Sequence, residues 1–175
     1  SSENLLNDAG IESYRFDTTV LFEEAFGIKK SLLLIKEIEA DENKIKLFDK
    51  YIKRRVLREP LQYILGQWEF MSLPFFTEKN VLIPRPDTET LVLAAEKYIE
   101  SNKAQNGKIF DLCCGSGCIG ISLAKRTSFN SFLFDISDDA LTLSRKNAEL
   151  NSVEDKVKII KCDVLNPDFI YYNEK

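Results

Sequence analysis

The second half of the chain alternates between two kinds of segment, and this limits the fold more than any other feature. Lys108–Leu112, Ser131–Asp135 and Lys156–Cys162 read as β formers, while Cys118–Arg126 and Asp139–Asn151 carry apolar residues at helical spacing. Consecutive strands joined through a helix pair in parallel, with right-handed crossovers. The predicted class is α/β, half of a doubly wound sheet. No internal repeat or low-complexity tract interrupts it.

The first of these strands runs into Asp111-Leu-Cys-Cys-Gly115-Ser-Gly117, where strand gives way to helix. Glycines at such a junction let the backbone pass close to a ligand and present the N–H groups of the helix start, which suits a nucleoside-type cofactor. A tight turn that holds no ligand is the plain alternative. Two acids weigh against it. Besides Asp111, the second strand ends at Asp135, 18 residues after Gly117, where a doubly wound fold places a carboxylate to accept both ribose hydroxyls. Asp163 closes the third strand, either as a cofactor-side acid or as the first residue of a solvated loop.

Gly115-Ser-Gly117-Cys-Ile-Gly120 also matches the dinucleotide fingerprint G-x-G-x-x-G, so two cofactors compete for the loop. Asp111 discriminates between them. A carboxylate repels an anionic pyrophosphate and attracts the sulfonium and ammonium of S-adenosylmethionine. Unit charges about 4 Å apart in an effective dielectric near ~20 interact by about 4 kcal/mol before desolvation is subtracted. The sign favours S-adenosylmethionine. A Cβ in the left-handed region costs about 1–2 kcal/mol, so Cys113 is expected at negative φ, with only Gly115 or Gly117 positive.

Residues 1–62 read as a small helical bundle. Phe16, Val20, Leu21 and Ala25 fall near helical spacing after an Asp17–Thr18 start signal, Gly27 stops that helix, and Ser31 opens a short one. From Asn43 to Arg58, Ile45, Phe48, Ile52 and Val56 form an apolar stripe with the basic residues opposite. Residues 63–84 read as a β-hairpin linker built from Trp68, Phe70, Phe75, Phe76, Val81 and Ile83. Residues 85–175 form the α/β part. It opens with a helix that Asp87 is placed to cap and whose apolar face is Leu91, Val92, Ala95, Tyr98 and Ile99, ended by a loop from Asn102 to Gly107.

Composition removes several classes. With no histidine among 175 residues, imidazole-based nucleophile activation and His-ligated zinc are excluded. No apolar run reaches the roughly 18 residues of a membrane helix, so no membrane partner is expected. The net charge of −4 argues against a general nucleic-acid coat. Between Lys44 and Arg58, however, seven bases face one acid, Asp49. That stripe is either a solvated helix face or a dock for an acidic or RNA-rich partner. Cys113, Cys114, Cys118 and Cys162 include no C-x-x-C pair; they read as small buried thiols of a reducing cytoplasm, with no metal site.

Two further stretches narrow the reading: Arg58-Glu-Pro-Leu-Gln-Tyr-Ile-Leu-Gly66-Gln-Trp-Glu-Phe70 and Leu82-Ile-Pro-Arg-Pro-Asp-Thr-Glu89. With the glycine loop they resemble the class I methyltransferases and, across essentially the whole chain, the peptide chain release factor glutamine methyltransferases of the HemK/PrmC family. The resemblance implies a class I (Rossmann-like) S-adenosylmethionine-dependent methyltransferase domain behind a helical bundle and a hairpin. It implies N5-methylation of the glutamine in the Gly-Gly-Gln motif of release factors, which are the implied partners; no direct nucleic-acid binding is expected. By motif match Cys113, Cys114, Gly115, Ser116 and Gly117 line the methionine portion, and Asp111 is counted among the cofactor-binding residues. Asp135 takes the ribose, and Asp163 and Val164 the adenine. Phe70, Pro84 and Arg85 fall near the acceptor mouth, although Phe70 reads nearly as well as core.

The family aligns its acceptor with an Asn-Pro-Pro-Tyr motif after the fourth strand, and these 175 residues contain none; Asn166-Pro167-Asp168 does not replace it. No catalytic residue is assigned. The expectation is a C-terminally truncated α/β domain with the cofactor half of the site and no turnover of its own. The rival readings are an Asn-Pro-Pro-Tyr-type methyltransferase acting on ribosomal protein, rRNA or tRNA, and a non-catalytic binding module.

Overall fold

The computed structural model describes residues 1–31, 41–102 and 107–166, and the chain divides into two units, Ser1–Leu65 and Gly66–Lys175. Among the described residues no helix is long and apolar enough to cross a membrane.

The first unit is helical. Helix α1 (Ser2–Asp8) is capped by Ser1, whose hydroxyl accepts from the Asn4 N–H at 3.4 Å, and α2 (Tyr14–Phe26) ends at Gly27, left-handed at φ 69°. Helix α3 (Glu42–Val56) starts at Asp41, whose carboxylate accepts from the Asn43 N–H at 2.8 Å. Pro60 then opens one more turn, α4 (Leu61–Leu65), so that a helix runs through residue 62, where the sequence suggested a boundary. Leu6, Leu21, Ala25, Ile52, Leu61 and Ile64 are buried, and Phe22, Phe26 and Phe48 pack ring against ring.

Three expectations for this unit change. Helix α2 begins at Tyr14, so Asp17 and Thr18 lie inside it and Phe16 faces solvent. Ile45 is exposed as well, leaving Ile52 as the fully buried member of its stripe. The arginines opposite the stripe are not a free basic face. Arg54 holds Glu59 at 2.7 and 2.8 Å and reaches the Tyr63 and Ile64 carbonyls. Arg55 donates to Asp17 at 2.6 Å and to the Glu59 carbonyl, and Arg58 donates to the Ala9 carbonyl. Unpaired chain ends and a buried acid recruit them because an unmatched buried polar group costs more than an exposed arginine gains. The short helix expected from Ser31 runs into residues outside the described ones.

In the second unit β1 (Gln67–Phe70) and β2 (Leu73–Phe76) form an antiparallel hairpin pairing Phe70 with Leu73. Its two turn residues, Met71 and Ser72, are both left-handed (φ 53° and 61°), which matches the twist a two-residue hairpin needs. The tip is fixed by Glu89, whose carboxylate accepts from the Met71 N–H at 2.7 Å. Val81 and Ile83 are not part of the hairpin. Val81 is an anchor, packed with Ala140 and Leu143. Helix α5 (Pro86–Ser101) has Pro86 at its first position and Arg85 as its N-cap, so Asp87 sits in the first turn and does not cap it. Its buried residue is Val92, while Leu91 and Tyr98 are exposed.

Then follow β3 (Lys108–Leu112), α6 (Cys118–Arg126), β4 (Asn130–Asp135), α7 (Asp138–Leu150) and β5 (Val157–Lys161). The strands form a parallel sheet in the order β3-β4-β5, with Asp111 beside Leu133 and Leu133 beside Ile159. Helices α6 and α7 pack on β4 and on each other. The core joins Phe70 and Phe75, edge to face, with Val92, Cys118, Ile121, Leu123, Leu133 and Val153.

Removing the acid from the buried pair in the first unit leaves Arg55 without its counter-charge. Asp17→Ala is expected to cost about 3 kcal/mol, whereas Lys46→Ala, which breaks an exposed pair with Glu42, should change stability by less than about 0.5 kcal/mol. Urea unfolding followed by far-UV circular dichroism separates the two; equal effects would show that the Asp17–Arg55 pair is not structural.

Candidate functional site

The parallel sheet brings Asp111 and Asp135 to the carboxyl ends of adjacent strands, with the glycine loop between β3 and α6 beside them. This is the edge at which open α/β sheets bind ligands. Asp163 and Val164 follow β5 at the same edge, where the Cys162 N–H bonds the Asp135 carbonyl at 3.0 Å. Asp163 is exposed and closes a local turn, accepting from the Leu165 N–H at 2.9 Å; Val164 is half-buried.

The loop makes three left-handed steps, at Cys113 (φ 59°), Gly115 (φ 56°) and Gly117 (φ 77°). The expected negative φ at Cys113 is therefore wrong. The reason is what the next residue must do. The Cys114 N–H continues the pairing of β3 with β4 by bonding the Phe134 carbonyl at 3.0 Å, and the Cys114 side chain enters the core beside Ser144. Turning at Cys113 leaves its own side chain in solvent, where a strained φ costs about 1–2 kcal/mol, and buries the one after it. Nor are all four cysteines buried: Cys113 is exposed and Cys162 half-exposed. Burial pushes the Cys114 thiol up to about 12 and Cys118 to about 11, so neither is a thiolate nucleophile near neutrality.

The two acids hold the loop in different ways. Asp135 is half-buried; one carboxylate oxygen accepts from the Gly115 N–H at 2.9 Å and the other from the Ser137 N–H at 3.0 Å. Asp111 is buried and accepts from the Gly120 N–H at 2.9 Å, which fixes the first turn of α6 on β3. Burial, partly offset by that hydrogen bond and reinforced by Asp135, pushes the Asp111 carboxyl from its ordinary 3.8 to about 6. Gly120 permits this approach, since a Cβ there would stand 2.6 Å from Leu133 Cδ1 and 3.1 Å from Asp111 Oδ2. Above Gly115 the space is open: its nearest neighbour would be Val81 Cγ1 at 3.8 Å.

Two residues that the sequence reading passed over complete the loop. Ser144 Oγ donates to the Gly115 carbonyl at 2.9 Å, and Asn147 Nδ2 donates to the Ser116 carbonyl at 3.0 Å. Their signal is visible in hindsight. Ser144, Asn147 and Asn151 recur at three- and four-residue steps within an otherwise apolar buried face of α7. Of the residues expected near an acceptor, Phe70 is in the core at 2% exposure, the alternative the sequence also offered, and its ring completes the edge-to-face pair with Phe75. Pro84 and Arg85 stand at the head of α5, and among the described residues no hydrogen bond joins them to the glycine loop.

The arrangement places open space at Gly115, a half-buried carboxylate, Asp135, beside the loop and a buried one, Asp111, beneath it, with no ion pair to either acid among the described residues. It matches a ligand that is cationic near the loop and carries hydroxyl donors near Asp135. A pyrophosphate would meet like charge.

Two substitutions test this geometry. Gly120→Ala is expected to lift α6 from β3 at a cost of about 1–3 kcal/mol, measured as a lower urea midpoint. Asp111→Asn keeps an oxygen for the Gly120 N–H and removes the titration. The raised carboxyl stabilises the fold fully below about pH 3.8, and that contribution is lost as pH rises through about 6. The Asn variant should therefore gain on the wild type between pH 4 and 7; a difference that does not vary with pH would show that Asp111 is not held in this buried state.

Comparison with known proteins gives the family. Residues 84–171 match the methyltransferase small domain, and residues 1–66 match the PrmC N-terminal domain. Curated relatives named release factor glutamine methyltransferase include one from Clostridium acetobutylicum, 40% identical over 166 residues and covering 93% of this chain and 57% of the relative. Another, from Flavobacterium psychrophilum, is 34% identical over 172 residues, covering 95% and 59%. The chain thus spans a little over half the length of these relatives. A solved structure, the Pyrococcus abyssi tRNA (uracil-54, C5)-methyltransferase in complex with S-adenosyl-L-homocysteine, overlaps 55% of this chain and 23% of that one at 25% identity, with a TM-score of 0.45. By the match over residues 84–171, this chain belongs to the methyltransferase small domain family.

Proposed function

We propose that the carboxyl edge of the β3-β4-β5 sheet holds S-adenosyl-L-methionine and that the chain serves N5-methylation of the Gly-Gly-Gln glutamine of peptide chain release factors. The observation that carries the cofactor reading is the pair of acids without a basic partner, Asp111 and Asp135, around a glycine loop that is open above Gly115. The relatives' shared name supports the acceptor. Bound there, the cofactor supplies an activated methyl group. The loop from Cys113 to Gly117 would hold its methionine portion, Asp135 its ribose, and Asp163 with Val164 its adenine. Asp111 would supply the negative field that favours the cation. A glutamine amide is a poor nucleophile because its lone pair is delocalised, so the reaction depends on alignment and hydrogen bonding more than on a general base. A chain with no histidine suits that chemistry.

In this reading residues 1–62 recognise the release factor, 63–84 link the parts and 85–175 carry the cofactor site. Direct nucleic-acid binding is not part of it, since Arg54, Arg55 and Arg58 are committed within the helical unit. Four free cysteines suit a reducing cytoplasm.

The test is calorimetric titration of the 175-residue chain with S-adenosylmethionine and, separately, with nicotinamide adenine dinucleotide. S-adenosylmethionine should bind at pH 7.5 and the dinucleotide should not. At pH 5, with Asp111 about nine-tenths protonated for a carboxyl near 6, affinity should fall about tenfold. Dinucleotide binding without S-adenosylmethionine binding would overturn the reading.

A further inference from the structure

Strand β2 has one edge paired with β1, and its other edge would be open to solvent or to another strand. The register decides which groups lie there. In a two-residue hairpin closed by Phe70 and Leu73, the backbone groups of Trp68 and Phe75 point at each other, so those of Pro74 and Phe76 point outward. Pro74 has no N–H to leave unsatisfied, as suits an edge. The remaining outward groups are all met by side chains of α7 and its C-cap residue, Asn151. Asn151 Nδ2 donates to the Pro74 carbonyl at 2.9 Å, and Asn147 takes both groups of Phe76, accepting from its N–H at 2.7 Å and donating to its carbonyl at 3.3 Å. Asn147 therefore stands in for a residue of a neighbouring strand.

The same amide does one thing more. Its second Nδ2 hydrogen goes to the Ser116 carbonyl in the glycine loop, at 3.0 Å. The amide orientation is settled by this network, because two carbonyls face the nitrogen and one N–H faces the oxygen. Asn147 is fully buried, so water does not substitute for any of these bonds. Asn151, one helical turn on, touches the hairpin and the Asn147 carbonyl and, among the described residues, makes no hydrogen bond to the loop.

We propose that Asn147 is a positioning residue of the cofactor site: its amide fixes the Ser116 carbonyl of the glycine loop against the Phe76 backbone of the hairpin, so that loop geometry and cofactor affinity depend on it. The proposal rests on the S-adenosylmethionine reading above and deepens it. It makes the hairpin part of the cofactor site through a residue that touches no ligand, and it requires that order in the loop be felt at β2.

Two measurements test it. In calorimetry at pH 7.5, Asn147→Ser, and Asn147→Asp, which keeps the bond from the Phe76 N–H and loses both carbonyl bonds, should weaken S-adenosylmethionine binding at least tenfold per folded molecule. Asn151→Ala, which loosens the same edge without touching the loop, should stay within about twofold. Asn147 variants as tight as wild type, or an Asn151→Ala loss of the same size, would overturn the proposal. The second measurement needs no variant to fold: saturating S-adenosylmethionine should slow amide hydrogen exchange at Phe76 in the wild-type chain several-fold, and an unchanged rate would overturn it. Wild type that binds no S-adenosylmethionine would instead remove the cofactor reading itself, and this inference with it.

Discussion

The junction of β3, its loop and α6 keeps its shape because two carboxylates at adjacent strand ends hold the backbone of the loop and of the helix start. Asp111 takes the Gly120 N–H from beneath, in the packed layer between sheet and helix, and Asp135 takes the Gly115 N–H from the side. Neither is neutralised by a base among the described residues, so both keep a field that the fold itself does not use up. Part of that is visible as a cost. Burial raises the Asp111 carboxyl toward neutrality, which means that the ionised form is under-solvated and that any cation near the loop is favoured by relieving it.

Helix α7 supplies the complementary half of the arrangement. The acids engage the loop's N–H groups, and Ser144 and Asn147 engage its carbonyls at Gly115 and Ser116. A segment with two left-handed glycines and a left-handed cysteine would otherwise be free to rotate its peptide planes. Fastened from both sides, it becomes a rigid surface, and rigidity is what lets a backbone recognise a ligand without reordering cost. The third glycine of the loop motif, Gly120, has a different task. It is there for closeness, because α6 could not approach β3 and β4 over any side chain.

The helical unit shows how counts of charge mislead. Seven bases within fifteen residues suggest a basic surface, yet Arg54, Arg55 and Arg58 spend their donors on Glu59, Asp17 and backbone carbonyls at the ends of α1, α3 and α4. Guanidinium groups suit this work because their donors reach several acceptors at once. The lysines are partly engaged too, Lys44 with the Phe26 carbonyl and Lys46 with Glu42. What the sequence presents as one face is in the structure two half-buried arginines that fasten the unit, Arg54 and Arg55, beside exposed lysines and Arg58.

The alternation of strands and helices after residue 107, the glycine loop at a strand end and the acids at Asp111 and Asp135 were legible in the sequence, because each depends on spacing within a few turns of chain. Helix and strand limits there agree within a residue, down to Cys118–Arg126. What remained hidden depends on residues far apart. Cys113 turns left-handed because Cys114 must reach Phe134; Phe70 is core because Phe75 and Val92 close over it; Arg55 turns inward because Asp17 lies 38 residues away. Asn147 was invisible as a site residue because its partners, Phe76 and Ser116, are 71 and 31 positions distant. Local spacing fixed which segments are strands and helices and which acids lie at strand ends, since those follow from backbone periodicity. Only tertiary structure decided which polar groups are buried together, and buried polar groups must find partners wherever the fold puts them.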